Sequence, residues 1–491
     1  MDRRTFLKSS SAALLLAGFS PGWTQASEKK LPILPMIDHA ASPSVEIALQ
    51  LAAGQHDFGS GTFSPTLGIN ANHLGPVVRV KSGQTLPFAV KNTLPEPVAL
   101  HWHGLHIPGN VDGGPHQEIT TGNVWRPQVP IRQRASTNWF HAHTHGKTAR
   151  QVYHGLAGVM LIEDEDSVAA DLPKTYGVDD FTIVLQDKKF ADGGKLHYEL
   201  TGEVFEDGFE GDTVIINGVM APVHQRVPTG LVRLRILNAC NARFLDLSLT
   251  SEEPLNVIAS DGGFLASTVE TRTLKISPGE RYEVLVDMRM AASVGLQVGF
   301  PEGEVLEAIT QLFSSEPVAT ALTLVADPTM AAVDSAMPQK LANMDEPAPQ
   351  SAVRTRTFEL NMGEEQDLAA LAAAWGNFCG TGGMGINGQP MNMERIDVAV
   401  NKGETEMWRI TADDMEHPFH VHGCSFRILK ERGKEPPAYA QGWKDMVAVQ
   451  DGASEILVRF DHPATADTPY MYHCHILEHE DCGMMGQFTV G

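Results

Sequence analysis

The sequence predicts an all-β protein built from three similar domains, and three observations carry that prediction. Composition is the first: 45 Gly and 30 Pro, with 42% hydrophobic and 20% charged residues, suit many short strands joined by turns rather than long helices. Length is the second, because 491 residues exceed what one hydrophobic core serves and three domains lie near the centre of the range. The third is a pattern that occurs three times: a Gly/Asn turn, an extended or Pro-containing segment, then a strand alternating apolar and polar residues. Its copies are Gly68-Ile-Asn-Ala-Asn-His-Leu-Gly75 leading to Val77-Val-Arg-Val-Lys-Ser-Gly83, Ile216-Asn-Gly-Val-Met-Ala-Pro222 leading to Leu231-Val-Arg-Leu-Arg-Ile236, and Ile386-Asn-Gly-Gln-Pro390 leading to Ile396-Asp-Val-Ala-Val-Asn-Lys-Gly403.

From the amino terminus, Arg3-Arg4 precedes a short apolar run over residues 12–19, Pro21 and a small-residue pattern at Thr24-Gln25-Ala26. Residues 1–26 read as a signal peptide, since the run falls well short of the roughly 20 residues a membrane span requires. Its resemblance to twin-arginine signals implies export of a folded protein to the periplasm. The domains are expected at 30–165, 175–326 and 352–491. Between the last two, residues 327–351, rich in Pro, Ala and Met without sustained period, read as a linker. The Ala- and Leu-rich stretch 366–375 is the one strong helix signal, placed in the third domain. Nothing after the signal reads as a membrane anchor. The net charge of −23 repels nucleic acid and favours cations.

Five cysteines, Cys240, Cys379, Cys424, Cys474 and Cys482, are an odd number in a chain bound for an oxidising compartment, so at least one thiol has another use. Cys474 stands between two histidines. Ten of the 20 histidines fall in four short motifs: His101-Trp-His103-Gly104, His141-Ala-His143, His417-Pro-Phe-His420-Val-His422, and His473-Cys-His475-Ile-Leu-Glu-His479 followed by Gly483-Met484-Met485. Residues i and i+2 of a strand share a face about 6.6 Å apart, so each His-X-His pair suits two adjacent ions better than one. Eight imidazoles from four such pairs suffice for three copper ions with room for an oxygen ligand. Two pairs come from each terminal domain, which puts the cluster between those domains. On an extended segment Cys474 projects opposite to His473 and His475. A thiolate, two imidazoles and a weak thioether define a blue-copper electron-transfer site, and Cys474, His417, His479 and Met484 supply that set.

These motifs resemble those of the multicopper oxidases, and the likeness spans the chain after the signal. The resemblance implies three cupredoxin-like Greek-key β-sandwich domains with a copper-free middle one, four copper ions, and reduction of dioxygen to water. It also implies that His101 and His420 bind a type 2 copper, and that His103, His141, His143, His422, His473 and His475 bind a type 3 pair. Dioxygen reduction consumes four protons, so buried acids are expected near the cluster. Asp112, in Val111-Asp-Gly-Gly114, and Glu480 stand where resembling oxidases place such acids. Asp445 is expected to orient a blue-copper imidazole.

The reductant is sought beside the same copper. Asp413 and Met415, just before His417, pair a carboxylate with a thioether suited to Cu(I), and Met362 with Asp367 forms a similar pair. In this, in Gly423-Cys-Ser-Phe-Arg-Ile428 and in Glu478-His-Glu-Asp481, the chain resembles the periplasmic cuprous oxidases of bacterial copper-efflux systems. Those enzymes carry a long Met- and His-rich insert where residues 362–393 here are short and Ala/Gly-rich, which implies a more open site that phenols could approach. The expected activity is therefore oxidation of Cu(I) with dioxygen in copper detoxification, by a monomer. Laccase activity on phenols is the alternative, and a non-catalytic copper-binding or division-associated protein of the same fold is the second. A copper nitrite reductase has two such domains, which three repeats and His-Cys-His do not fit.

Overall fold

A computed structural model of the chain describes residues 29–42, 45–251, 253–299, 319–332, 335–344, 351–363, 384–412 and 415–491. The signal peptide, the expected helix at 366–375, Cys379, Asp367 and Asp413 lie outside the described residues. Six sheets form among the rest, in three facing pairs. In the amino-terminal unit the order Met36–Asp38, Val77–Lys81, Ala157–Glu163, Ser136–Ala142, Leu100–His103 makes one sheet. Its partner sheet is built around Ile47–Asp57 and Thr85–Asn92. Leu51, Val80, Phe88, Trp102 and Phe140 fill the space between them. The strand Ile47–Asp57 begins with strict buried/exposed alternation, as a sheet with one face inward requires.

The middle unit pairs an eight-stranded sheet containing Asp180–Phe190, Leu231–Asn238 and Arg281–Asp287 with a five-stranded one. Ile183, Leu234, Ile236, Val284 and Leu322 form its core. In the carboxy-terminal unit, the sheet Val398–Val400, Met485–Val490, Tyr470–Cys474, His417–Val421, Met446–Val449 faces a second sheet centred on Thr405–Ala412. Phe358, Trp408, Phe419, Tyr472 and Phe488 pack between these, each contributing roughly 1.5–3 kcal/mol through burial. A short helix, Leu477–Asp481, follows the Tyr470–Cys474 strand. The all-β, cupredoxin-like architecture is thus as the sequence predicts.

The threefold pattern has a common physical cause. Asn70, Asn217 and Asn387 all adopt left-handed backbone, with φ of 57°, 48° and 56°, a region Asn tolerates better than other side chains with a Cβ. Each uses its amide in the same way. Asn70 Oδ1 accepts from Gln50 N and its Nδ2 donates to Ala48 O. Asn217 spans Val184 N and Thr182 O, and Asn387 spans Glu359 N and Thr357 O. A chain reversal is thereby stitched to the neighbouring strand in all three units.

Two contacts bind the ends of the chain together. The helix Thr148–Tyr153 has no capping side chain of its own; Asp481 accepts its first free N–H groups, from Thr148 and Ala149, at 2.9 Å each. That satisfies donors a helix start leaves unpaired and sets a carboxylate at its positive end. Leu477, one turn earlier, inserts into the amino-terminal core.

Candidate metal centre

Strand register gathers the histidines. Leu100–His103 and Ser136–Ala142 pair antiparallel with His101 opposite His141, while His417–Val421 and Tyr470–Cys474 pair with His420 opposite His473. The two ribbons meet face to face, so that the His101 ring stacks on His422 at 3.8 Å and His103 on His420 at 3.7 Å. Donor atoms converge within 4.8 Å of one another in the sets His101/His103/His420, His103/His141/His475 and His143/His422/His473. All eight residues are buried.

Without a cation this arrangement is costly. His143 Nε2 and His422 Nε2 each lie 3.3 Å from His473 Nε2, and buried His101 Nε2, His420 Nε2 and both His475 nitrogens have no hydrogen-bond partner. Buried polar atoms are normally satisfied, and leaving one bare costs about 1–3 kcal/mol. Burial, reinforced by neighbouring rings, holds His103, His141, His143, His420, His422 and His475 well below the usual histidine range, and burial takes His473 to about 3. Neutral rings aiming lone pairs at common points are what a metal requires. The residues fit copper.

The sulfur site lies on the opposite face of the same strand. His417 Nδ1 is 3.4 Å and His479 Nδ1 3.8 Å from Cys474 Sγ. His479 is oriented from behind, its Nε2 3.0 Å from Glu206 O of the middle unit. Burial raises the Cys474 thiol above its ordinary range, an effect the Ile476 N–H at 3.3 Å only partly offsets, so the thiolate forms when a cation takes the proton's place. Met484 is fully buried in the same apolar cluster as Cys474. His473 Nδ1 lies 2.9 Å from Cys474 O, a short link between the two sites.

Both expected acids reach the imidazole cluster. Asp112 Oδ2 is 2.8 Å from His422 Nδ1 and 3.4 Å from His101 Nδ1. Glu480 lies 3.3 Å from His143 Nδ1 and 3.2 Å from His473 Nδ1. Burial, with Asp481 and Glu478 nearby, lifts the Glu480 carboxyl well above the usual range.

Asp445 is not where the sequence reading put it. It contacts neither His417 nor His479; its Oδ1 lies 3.1 Å from His103 Nε2 and its carbonyl 2.8 Å from His420 Nδ1. The cause is register: Met446–Val449 runs antiparallel to His417–Val421 with His420 opposite Met446, which carries Asp445 past the blue site to the cluster side. Sequence reasoning also missed the middle unit's share. Arg281, fully buried, grips Asp445 with two 2.6 Å bonds, and the turn at Gly279 lies so close to His475 that an added Cβ would sit 3.1 Å from the ring. No histidine motif marks that turn in the sequence.

Of the four residues expected to hold a substrate copper, Met362 and Met415 are half-buried and pack on the carboxy-terminal core. Among the remaining cysteines, Cys240 and Cys424 are buried free thiols.

Comparison with known proteins agrees with this geometry. Family models described as multicopper oxidase match residues 50–167, 179–295 and 358–491. The chain is 37% identical over 496 residues to the cell division protein FtsP of Xenorhabdus nematophila, covering 100% of this chain and 98% of the relative. A solved structure of CueO from the lignin-degrading bacterium Ochrobactrum sp., described as a laccase-like multi-copper oxidase with oxidase activity towards lignin model compounds and lignosulfonate, is 41% identical. Its TM-score is 0.84, over 94% of this chain and 100% of that one. McoA multicopper oxidase from Aquifex aeolicus is 28% identical with a TM-score of 0.80, covering 95% of this chain and 100% of that one.

Proposed function

The chain belongs to the multicopper oxidase family, and from that premise we propose that it couples one-electron oxidation of Cu(I) to the four-electron reduction of dioxygen. Bound at these positions, four coppers would supply single-electron acceptance at the sulfur site and reduction of dioxygen to two waters at the cluster. His417, Cys474, His479 and Met484 would hold the first. His101 and His420 would hold the type 2 ion, His103, His141 and His475 one type 3 ion, and His143, His422 and His473 the other. The observation that carries the reading is the bare, inward-facing nitrogens of the cluster imidazoles, which a scaffold would have no reason to keep.

The chain's own residues have definable tasks. Asp112 and Glu480, in contact with outer nitrogens of cluster imidazoles, orient those rings and hold the protons the reaction consumes. Asp445, fixed by Arg281, orients His103. Met362 and Met415, soft and half-buried on the carboxy-terminal core that also contains Cys474, favour Cu(I) as the reductant. Arg3-Arg4 and the apolar run behind them support export to the periplasm by the twin-arginine route.

A second reading rests on a specific observation. Relatives matching the full length carry the name cell division protein FtsP, which favours a division-associated, non-catalytic role. Phenol oxidation finds support in the activity stated for the Ochrobactrum enzyme. Dioxygen uptake by the copper-loaded mature protein with Cu(I), with a phenol and with no reductant separates the three. Uptake strongest with Cu(I) is expected. Preference for the phenol would overturn the substrate, and absence of uptake with either reductant would favour the non-catalytic, division-associated role.

A further inference from the structure

Beyond the imidazole cluster and the sulfur site, one small core is made entirely of methionine. Met391, Met471 and Met485 are buried against one another, and half-buried Met393 packs on them. Apolar cores are ordinarily filled by branched aliphatic residues with Met as an occasional gap-filler. Among the described residues no Leu, Ile or Val takes part. Four soft thioethers instead share one pocket, and none of them belongs to the proposed ligand sets.

The pocket's position gives this chemical meaning. Tyr470–Cys474 and Met485–Val490 pair antiparallel with His473 opposite Met485 and Met471 opposite Gln487. Residues two apart, and residues directly opposite, share a sheet face. Met471 and Met485 therefore lie diagonally on the face that carries His473. Met391 is brought against them because its N–H donates to Gly483 O at 3.0 Å, where Gly483 has φ of 101° and backbone close on both sides. Gly114 lies near both Asp112 and this cluster: a carbon added to it would sit 3.8 Å from Asp112 Oδ2 and 3.9 Å from Met471 Cε. Met393, half-buried, packs at the edge of the cluster.

We propose that Met391, Met471 and Met485, with Met393 at the edge, form a further metal site that binds a soft monovalent cation, Cu(I), one residue layer from the imidazole cluster. Thioethers carry no proton to displace and no charge, which disfavours hard divalent ions and suits a d10 monocation. The site does not depend on which reductant the enzyme turns over.

Ag(I), a soft monocation that the cluster cannot oxidise, is the probe. Titrated into the copper-loaded protein, it should lose one binding equivalent in Met391→Leu/Met485→Leu, a volume-conserving change. The same equivalent should remain in Met362→Leu/Met415→Leu. Retained blue absorption checks that the variant is folded. Should the double variant not fold, the single Met391→Leu should weaken the same Ag(I) equivalent at least tenfold. Crystals soaked in Ag(I) should show anomalous density among the three buried sulfurs. No extra equivalent in the wild type, an equivalent unchanged in the Met391 variants, or silver density confined elsewhere would each overturn the proposal.

Discussion

Arg281 ties the middle unit to the imidazole cluster, and its removal has a calculable cost. The guanidinium has 1% of its side chain exposed. It makes two 2.6 Å bonds to Asp445 and donates to Thr137 O and Gly279 O at 3.0 and 3.1 Å. In Arg281→Met, Asp261 keeps its partner Lys444 at 2.9 Å, but Asp445 becomes a buried carboxylate with only the neutral His103 and His420 imidazoles beside it, at 3.1 and 3.9 Å. Breaking a buried pair from one side costs about 3–5 kcal/mol. Urea unfolding of the copper-free protein, followed by tryptophan fluorescence, should show a loss of that order. Adding Asp445→Asn removes the stranded charge, so the double variant should recover about 2–3 kcal/mol of it. In the copper-loaded protein the single variant should also lose cluster copper while the blue absorption stays. A single-variant cost below about 1 kcal/mol, or effects additive within about 0.5 kcal/mol, would refute the coupling.

Three further outcomes are expected. Cys474→Ser should abolish the blue absorption and turnover while most cluster copper remains; wild-type dioxygen uptake in this variant would sink the electron route. Glu480→Gln should lower turnover on the order of 10²-fold with copper content unchanged, and a fall that merely tracks copper loss would assign the residue to ligand orientation alone. Burial, with Glu280 adding to it, pushes the Glu431 carboxyl from 4.5 up to about 7, so the folded chain keeps a proton that the unfolded chain gives up. Stability should therefore fall as pH rises between those values, by at most about 3 kcal/mol. Glu431→Gln should match the wild type near about pH 4 and exceed it near about pH 8 in urea midpoints; equal midpoints at the higher pH would show the carboxyl already ionised.

The histidines were legible because strand periodicity turns His-X-His into a geometric statement, and the order of four such motifs is hard to produce otherwise. The three units were legible because Asn70, Asn217 and Asn387 repeat one backbone requirement. What stayed hidden depends on pairs far apart in the chain. Asp445 is 342 residues from His103 and Arg281 is 164 from Asp445, so no spacing rule connects them, and proximity in sequence to His417 suggested the wrong site. The methionine cluster joins Met391, in a connecting segment, to Met471 and Met485 on neighbouring strands, and the sulfur content of each looks unremarkable one at a time.

The separation of ligands along the chain also bears on the order of biosynthetic events. His143 and His473, neighbours at 3.3 Å, are 330 residues apart, and Asp481 must reach back to the helix at Thr148 before they meet. While the carboxy-terminal unit is still unmade, the growing chain offers only scattered imidazole pairs and no pocket of the right shape. Copper held at these positions would therefore have to enter a finished chain, with both terminal units in place.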